Sequence, residues 1–152
     1  MDNQKEKILI SACLIGAPVR YDGQSKKEPL AFELLNYYDL IPICPETDGG
    51  LKTPRPAAEL TDGRALTASG RDVTAFYHNG ISLALEIVRR FDIKLAVLKE
   101  RSPSCGVKSI HNGKFDGGLK DGEGLLTHAL REVGVTVISE EEITNLIQTF
   151  SR

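Results

Sequence analysis

The sequence contains few of the residues that would mark a secreted, disulfide-linked or membrane-spanning protein. It has no tryptophan, one methionine and three cysteines among 152 residues. An odd number of cysteines argues against a framework of paired disulfides. No apolar run approaches the roughly 20 residues of a membrane span, and the charged residues 1–7 do not lead into a signal peptide. We therefore predict a cytoplasmic protein with no membrane contact, whose thiols stay reduced.

The sequence also lacks an excess of charge of either sign. Nineteen lysines and arginines face 21 aspartates and glutamates, which gives a formal net charge of -2 and a pI near 5.9. Such a chain has no overall positive field to attract phosphate backbones, so nucleic acid is not an expected partner. The sequence leaves two interpretations of four basic residues: they form a local basic patch, or they are ordinary solvated side chains. These residues are Lys26, Lys27, Lys52 and Arg55. The oligomeric state is also left open.

Short apolar segments alternate with segments of helical periodicity along the chain. The pattern predicts strands over residues 7–13, 40–44, 93–98 and 135–138, and helices over residues 29–38, 72–91, 125–133 and 139–150. Asp72 is the predicted N-cap of the second helix, and residues 139–142 form a predicted capping box. Such alternation is typical of a mostly parallel sheet covered on both faces. We predict a single-domain, Rossmann-like three-layer α/β fold over residues 1–152.

Proline and glycine interrupt this pattern in three places. Pro42 lies inside a predicted strand, which places that position at the start of the strand or the strand at a sheet edge. Residues 45–70 are rich in both amino acids and predict a long irregular loop, a kind of segment that is usually functional. Residues 113–124 are rich in glycine but contain no phosphate-binding pattern, so we expect a flexible surface hairpin or lid.

All three cysteines follow predicted strands. Cys13 ends the first strand, Cys44 ends the second, and Cys105 lies in the loop after the third. Because parallel strands bind ligands beyond their carboxyl ends, these thiols are expected to converge at one edge of the sheet. Each cysteine alone is more often a small buried apolar residue than a ligand, and that alternative stays open. Their shared position favours one metal centre with an open coordination site.

The histidines do not complete a zinc site of the usual kind. The three histidines, His78, His111 and His128, lie far apart in sequence and show no paired ligand spacing. His111 remains a possible ligand because it follows Cys105 closely. An iron–sulfur cluster held by three cysteines fits the residues better, because one of its irons would be available to a substrate.

Five motifs resemble one family closely over about residues 7–140. They are Ser11-Ala-Cys13-Leu-Ile-Gly16, Arg20-Tyr-Asp-Gly23, Cys44-Pro-Glu46, Gly49-Gly-Leu-Lys-Thr-Pro-Arg-Pro56 and Lys99-Glu-Arg-Ser-Pro-Ser-Cys105-Gly106. In this order they resemble the iron–sulfur-dependent thiouracil desulfidase family of bacteria. The resemblance implies a 4Fe-4S cluster held by Cys13, Cys44 and Cys105, a group that preparation in air is expected to remove.

The resemblance also implies the chemistry and the residues that perform it. The cluster's fourth iron would take the sulfur of a small thiolated pyrimidine such as thiouracil, and water would replace that sulfur and release hydrosulfide, as a hydrolase or lyase. Glu46 and Ser102 would be catalytic, while Asp22, Ser104 and Arg55 would contact the substrate. From the residues alone, ordinary loop roles for these side chains stay open.

Other features leave the substrate and the function class open. Thr47-Asp48 and Lys52 stand where the family pattern suggests apolar residues, which bears on substrate preference. One alternative function is a non-catalytic module that senses iron or oxygen through the cluster or binds thiolated metabolites. Another is a cysteine-persulfide sulfurtransferase, which needs one reactive thiolate and not three convergent ones.

Overall fold

The computed structural model describes residues 5–150, in which short strands alternate with helices. In chain order the elements are β1 (Glu6–Ser11), α1 (Pro29–Glu33), β2 (Tyr38–Ile43), α2 (Pro45–Asp48), β3 (Ala58–Thr61), β4 (Arg64–Thr67), α3 (Thr74–Phe91), β5 (Leu95–Leu98), β6 (Ser109–His111), β7 (Leu119–Asp121), α4 (Leu125–Glu132), β8 (Thr136–Ser139) and α5 (Ile143–Gln148). None of the described helices is both long and apolar enough to cross a membrane. The predicted domain, residues 1–152, includes six terminal residues that lie outside the described range.

A four-stranded parallel sheet forms the centre of the fold. Its strand order is β2-β1-β5-β8, and in its register Leu9 pairs with Ile41 on one side and with Ala96 on the other. Ile8, Leu9 and Ile10 are completely buried, because a central parallel strand is covered on both faces. The continuous apolar run that predicted the first strand therefore reflects burial on two sides.

Helices cover both faces of this sheet. Leu9, Ala96 and Leu98 pack on one face against α3 and α4, through side chains that include Ile81, Ala84, Leu126 and Leu130. Ile8, Ile10 and Val97 pack on the other face against α1, the 3₁₀ turn that follows it and α5, through Ala31, Leu34 and Ile143 respectively. The predicted three-layer α/β fold with a mostly parallel sheet is confirmed.

The prediction for Pro42 is also confirmed. Its strand, β2, lies at the edge of the sheet, where Pro42 pairs with Ile10. An edge strand uses its backbone groups on one side only, so a residue without an N–H can be placed there at little cost.

The predicted irregular loop over residues 45–70 was wrong. This segment contains the helix α2 and the antiparallel hairpin of β3 and β4. The hairpin turns at Asp62 and Gly63, whose φ angles of 50° and 78° both lie in the left-handed region. Asp-Gly is a strong signal for this two-residue turn, and the high proline and glycine content of the segment obscured it.

Several predicted boundaries shift by a few residues. β1 ends at Ser11, and a 3₁₀ turn, Ala12–Ile15, carries Cys13. The first predicted helix ends earlier because Tyr38 already pairs with Glu6 as part of β2. Val73, not Asp72, is the N-cap of α3, although the Asp72 carboxylate still accepts the N–H of Thr74 at 2.9 Å.

Two further predictions for the second half of the chain concern the glycine-rich segment and the Ser139 cap. The glycine-rich segment forms part of an antiparallel hairpin of β6 and β7, as expected. The Ser139 hydroxyl accepts the N–H of Glu141 at 3.1 Å, so it caps a 3₁₀ turn that leads into α5. That helix ends at Gln148, two residues before the predicted end.

Candidate active site

A cavity of about 460 Å³ opens at the carboxyl ends of β1, β2 and β5. Seven of the eight predicted site residues line it, namely Cys13, Cys44, Glu46, Arg55, Ser102, Ser104 and Cys105. Asp22 is not part of the lining that the structure describes. Its carboxylate accepts the N–H of Gln24 at 3.0 Å and lies 3.8 Å from Arg20, so it stabilises a local turn.

Each cysteine reaches the cavity from a different element. Cys13 lies in the 3₁₀ turn after β1, and Cys105 lies in the loop after β5; both are buried. Cys44 is the N-cap residue of α2, and its N–H donates to the Asp48 carboxylate at 2.9 Å. Pro45 follows at the first helical position, where proline favours helix initiation. The strand ends therefore position all three thiols.

The three thiols influence one another electrostatically. Burial, and next the charge of Cys44, raise the pKa of Cys13 to about 11. Burial is also the main cause that raises the pKa of Cys105, and Cys44 and Cys13 add to it, while the hydroxyls of Ser11 and Ser104 oppose it. The protein alone therefore favours neutral thiols at Cys13 and Cys105, and a bound cation or cluster would stabilise their thiolates.

The donor set fits a cluster better than a single ion. Among the described residues, no group of three or more His, Cys, Asp and Glu side chains is close enough to hold one metal ion. The cysteines of a cluster bind different irons and therefore need not meet at one point. Three thiols around one cavity, with no fourth cysteine in the sequence, fit a cluster with one iron free of protein ligands.

Glu46 lies in the first turn of α2, where it connects two sides of the cavity wall. Its Oε1 accepts hydrogen bonds from Nε and Nη2 of Arg55 at 3.2 and 3.0 Å. Its Oε2 accepts a hydrogen bond from the Ser104 hydroxyl at 2.9 Å. The Arg55 and Glu46 side chains are only 7% and 13% exposed, so this pair is largely shielded from solvent screening.

Arg55 uses all five of its N–H donors within the protein. Besides the two bonds to Glu46, Nη1 donates to the Lys52 carbonyl and the Thr53 hydroxyl, and Nη2 donates to the Val19 carbonyl. A guanidinium has five such donors. Arg55 therefore fixes the orientation of Glu46 and ties together two loops, and it keeps no donor for a substrate.

Ser102 and Ser104 extend the hydrogen-bond chain from Glu46. Their hydroxyl oxygens lie 2.9 Å apart. Ser102 Oγ also accepts the N–H groups of Ser104 and Cys105 at 3.1 and 3.0 Å. Because this oxygen already accepts two bonds, its own proton is available to Ser104 or to a bound molecule. The arrangement links Ser102, Ser104 and Glu46 in one path for a proton.

The structure adds residues that sequence reasoning missed. Tyr77 is completely buried in α3, and its hydroxyl faces Glu46 but makes no hydrogen bond of ordinary geometry among the described residues. Burial and then the charge of Glu46 raise the pKa of Tyr77, so it stays protonated. Its position on the apolar side of a predicted helix gave no sign of this. Glu100, which sequence reasoning also missed, and His111, which it left open, line the cavity, whereas Tyr77 is not among the lining residues.

Comparison with known proteins establishes the family. The family model described as 2-thiouracil desulfurase matches residues 8–142. The chain belongs to this family. Membership in the 2-thiouracil desulfurase family confirms the predicted resemblance, and with it the prediction that the chain is an enzyme of the thiouracil desulfidase type.

Two relatives each match nearly the whole length of this chain. The solved structure of a 4Fe-4S-dependent thiouracil desulfidase, TudS, is 46% identical with a TM-score of 0.88, covering 97% of this chain and 99% of that one. YbbK of Bacillus subtilis (strain 168), an uncharacterized protein, is 35% identical over an alignment of 150 residues that covers 92% of this chain and 99% of YbbK. The similarity to TudS extends over the segments that carry the cavity.

Proposed function

We propose that this enzyme is a 4Fe-4S-dependent desulfidase that removes the sulfur of a small thiolated pyrimidine by hydrolysis. The observation that carries the proposal is that one cavity is lined by three thiols and by the connected side chains of Ser102, Ser104 and Glu46. The similarity to TudS, described as a 4Fe-4S-dependent thiouracil desulfidase, supports the same assignment.

In this proposal Cys13, Cys44 and Cys105 hold the cluster. When bound, the cluster would supply one iron without a protein ligand, a soft Lewis acid suited to a thiocarbonyl sulfur. The thiols of Cys13 and Cys105 need that partner because burial raises the pKa of both and so disfavours their charged forms. The surrounding hydroxyls of Ser11 and Ser104 favour the thiolate of Cys105.

The protein's own part in the reaction is to handle protons. Replacement of a C=S group by C=O consumes one water and releases hydrosulfide and a proton, with no net change of redox state. Glu46 Oε2 accepts a proton from water and returns it to the ring nitrogen or to the departing sulfur. Ser104, 2.9 Å from that oxygen, and Ser102 beyond it extend the path. Arg55 keeps the carboxylate in place.

The cavity suits a small heterocycle. Its volume of about 460 Å³ lies within the range usual for small-molecule sites. Ser104 keeps its predicted role as a substrate contact, and Ser102, predicted as catalytic, is proposed to contact the substrate as well. Arg55, predicted as a substrate contact, has all its donors engaged, so a positioning role is proposed for it. Asp22 shapes the loop that carries Arg20 and Tyr21 to the cavity wall. The cytoplasmic location and the absence of a nucleic-acid partner stay predictions.

A direct comparison of substrates tests this proposal. Protein purified and loaded without oxygen would be incubated with thiouracil, thiouridine, thiouridine monophosphate and tRNA containing 4-thiouridine, and hydrosulfide release measured at two salt concentrations. We expect release from the small pyrimidines that changes little with salt. Faster, salt-sensitive release from tRNA would overturn the small-molecule assignment, because phosphate contacts weaken steeply with salt.

The same experiment separates the alternative functions. A loaded protein that binds iron but releases no hydrosulfide from any substrate would favour the sensing or thiometabolite-binding module. With thiosulfate as the donor, transfer of its sulfane sulfur to an added thiol by metal-free protein, with release of sulfite, would favour the persulfide sulfurtransferase. Hydrosulfide release that depends on iron content contradicts both.

A further inference from the structure

Glu100 is a buried carboxylate with an unusual set of partners. One oxygen, Oε1, accepts the backbone N–H groups of Val107, Lys108 and Ser109 at 2.7, 2.8 and 3.1 Å, and that of Arg101 at 3.3 Å. The residue is only 3% exposed. Burial by itself raises the pKa of Glu100, but these N–H groups together outweigh it and hold the pKa below its ordinary value.

The backbone of Glu100 is fixed to the end of the central sheet. Its N–H donates to Glu140 Oε1 at 2.8 Å, and Glu140 Oε2 lies 3.0 Å from the Lys99 ammonium. The N–H of Lys99 donates to the buried hydroxyl of Ser11 at 2.9 Å, which joins the ends of β5 and β1. Glu100 therefore projects from a rigid point.

From that point Glu100 closes a loop that contains the reactive groups. Its Oε1 contacts the chain at Arg101, where the loop leaves β5, and again at residues 107–109, where the loop returns. Ser102, Ser104 and Cys105 lie between these contacts. On its outer side the loop is bound by the first turn of α4, where Leu126 N–H donates to the Ser104 carbonyl at 2.9 Å.

We propose that Glu100 is a positioning residue that holds the loop carrying Ser102, Ser104 and Cys105 in its reactive arrangement. The expected effect on turnover rests on the proposed function, whereas the expected effect on the loop's structure does not. Its other oxygen, Oε2, is buried without a hydrogen-bond partner in the part of the chain that the structure describes. A buried carboxylate with one unpartnered oxygen is costly for stability alone, which favours a role in the site.

The first test measures the loop without a cluster. Amide hydrogen exchange at residues 107–109 would be followed in metal-free wild type, Glu100→Ala and Glu100→Gln. Asp72→Ala is the matched control, because Asp72 also accepts a backbone N–H, at the start of α3. We expect exchange in Glu100→Ala to be roughly 10- to 100-fold faster, from the loss of charge-assisted hydrogen bonds. Glu100→Gln, which keeps an acceptor oxygen, should change less, and Asp72→Ala should not change it.

The second test measures turnover in loaded protein. At equal iron content, kcat for thiouracil should fall about tenfold or more in Glu100→Ala because the serines are displaced, while KM changes little. Glu100→Gln should recover most of kcat, and Asp72→Ala should match wild type. If Glu100→Ala does not fold, Glu100→Gln decides the question. A small but measurable rise in its amide exchange at residues 107–109, together with a fall in its kcat, supports the proposal. Wild-type values of both its exchange rate and its kcat overturn it.

The outcomes separate this inference from the proposed function. Wild-type exchange at residues 107–109 in Glu100→Ala would overturn the positioning role. Fast exchange combined with wild-type kcat would also overturn it, because the residue would then serve stability only. If wild type releases no hydrosulfide from thiouracil, the proposed function fails, whereas faster exchange in Glu100→Ala, with faster loss of iron from the loaded protein, still supports the positioning of the loop.

Discussion

Replacement of Glu46 by glutamine is the most informative single change in this site. In Glu46→Gln the side-chain oxygen can face Arg55 and accept its two hydrogen bonds, while the new amide group faces Ser104. Ser104 can then accept a hydrogen bond from this amide and turn its own proton toward the Cys105 sulfur, 3.7 Å away. The shape and most contacts of the site are therefore retained.

What Glu46→Gln removes is the negative charge and the ability to take a proton. Arg55, with a side chain only 7% exposed, loses its charged partner. Removing one partner of a buried ion pair costs about 3–5 kcal/mol when the remaining charge is left without hydrogen bonds. Because Arg55 keeps its contacts to two carbonyls and a hydroxyl, we expect a loss of about 2 kcal/mol in the free energy of unfolding, small enough for the protein to stay folded.

Although Glu46→Gln should stay folded, its kcat should fall strongly. General acid/base catalysis usually contributes about a hundredfold or more, and a glutamine side chain cannot supply it near neutral pH. The assay is hydrosulfide release from thiouracil by protein loaded without oxygen, at equal iron content, together with urea unfolding. Glu123→Gln is the matched control, because Glu123 pairs with Arg131 at 2.8 Å away from the cavity lining. Near-normal kcat in iron-replete Glu46→Gln would remove Glu46 from the mechanism.

Three further predictions follow from the same structure. Cys44→Ser loaded without oxygen should hold little iron–sulfur cluster, because a serine oxygen is a poor ligand for a site that uses soft thiolates; full iron and sulfide content in this variant would contradict the three-cysteine assignment. A Cβ at position 80 would lie 1.9 Å from the Pro45 carbonyl oxygen, so Gly80→Ala should lower the free energy of unfolding by about 3 kcal/mol despite the higher helix propensity of alanine. Urea unfolding beside the exposed Asn79→Ala control measures this, and unchanged stability would refute the close packing of α2 on α3. A hydrogen bond that His128 donates to Glu123 and the charge of Glu132 raise the pKa of His128, so its contribution to stability should be full below the unfolded pKa of about 6.5 and be lost as pH rises through the folded pKa. The difference in unfolding free energy between wild type and His128→Ala should thus shrink from about pH 5.5 to about pH 8.5. A difference that grows over this range would mean that folding lowers the pKa of His128.

The layers of the fold, and the sheet edge at which the cysteines lie, were predictable from the pattern of amino acids. Buried parallel strands need continuous apolar runs, and amphipathic helices need a three- to four-residue period, so both leave a local signal. For the same reason Cys13, Cys44 and Cys105 could be placed after strands before any contact was known. The five motifs pointed to the family that the comparison then established.

The roles of the individual side chains in the site depend on contacts between segments that are distant in sequence. Glu46 and Ser104 are 58 positions apart, yet they share a hydrogen bond of 2.9 Å. Whether Arg55 has a free donor depends on carbonyls from two loops. Oε1 of Glu100 accepts hydrogen bonds from N–H groups seven to nine residues away. Asp22 carries a motif but lies outside the cavity lining. Such contacts depend on where irregular loops cross one another, and hydrophobic periodicity carries no information about that geometry.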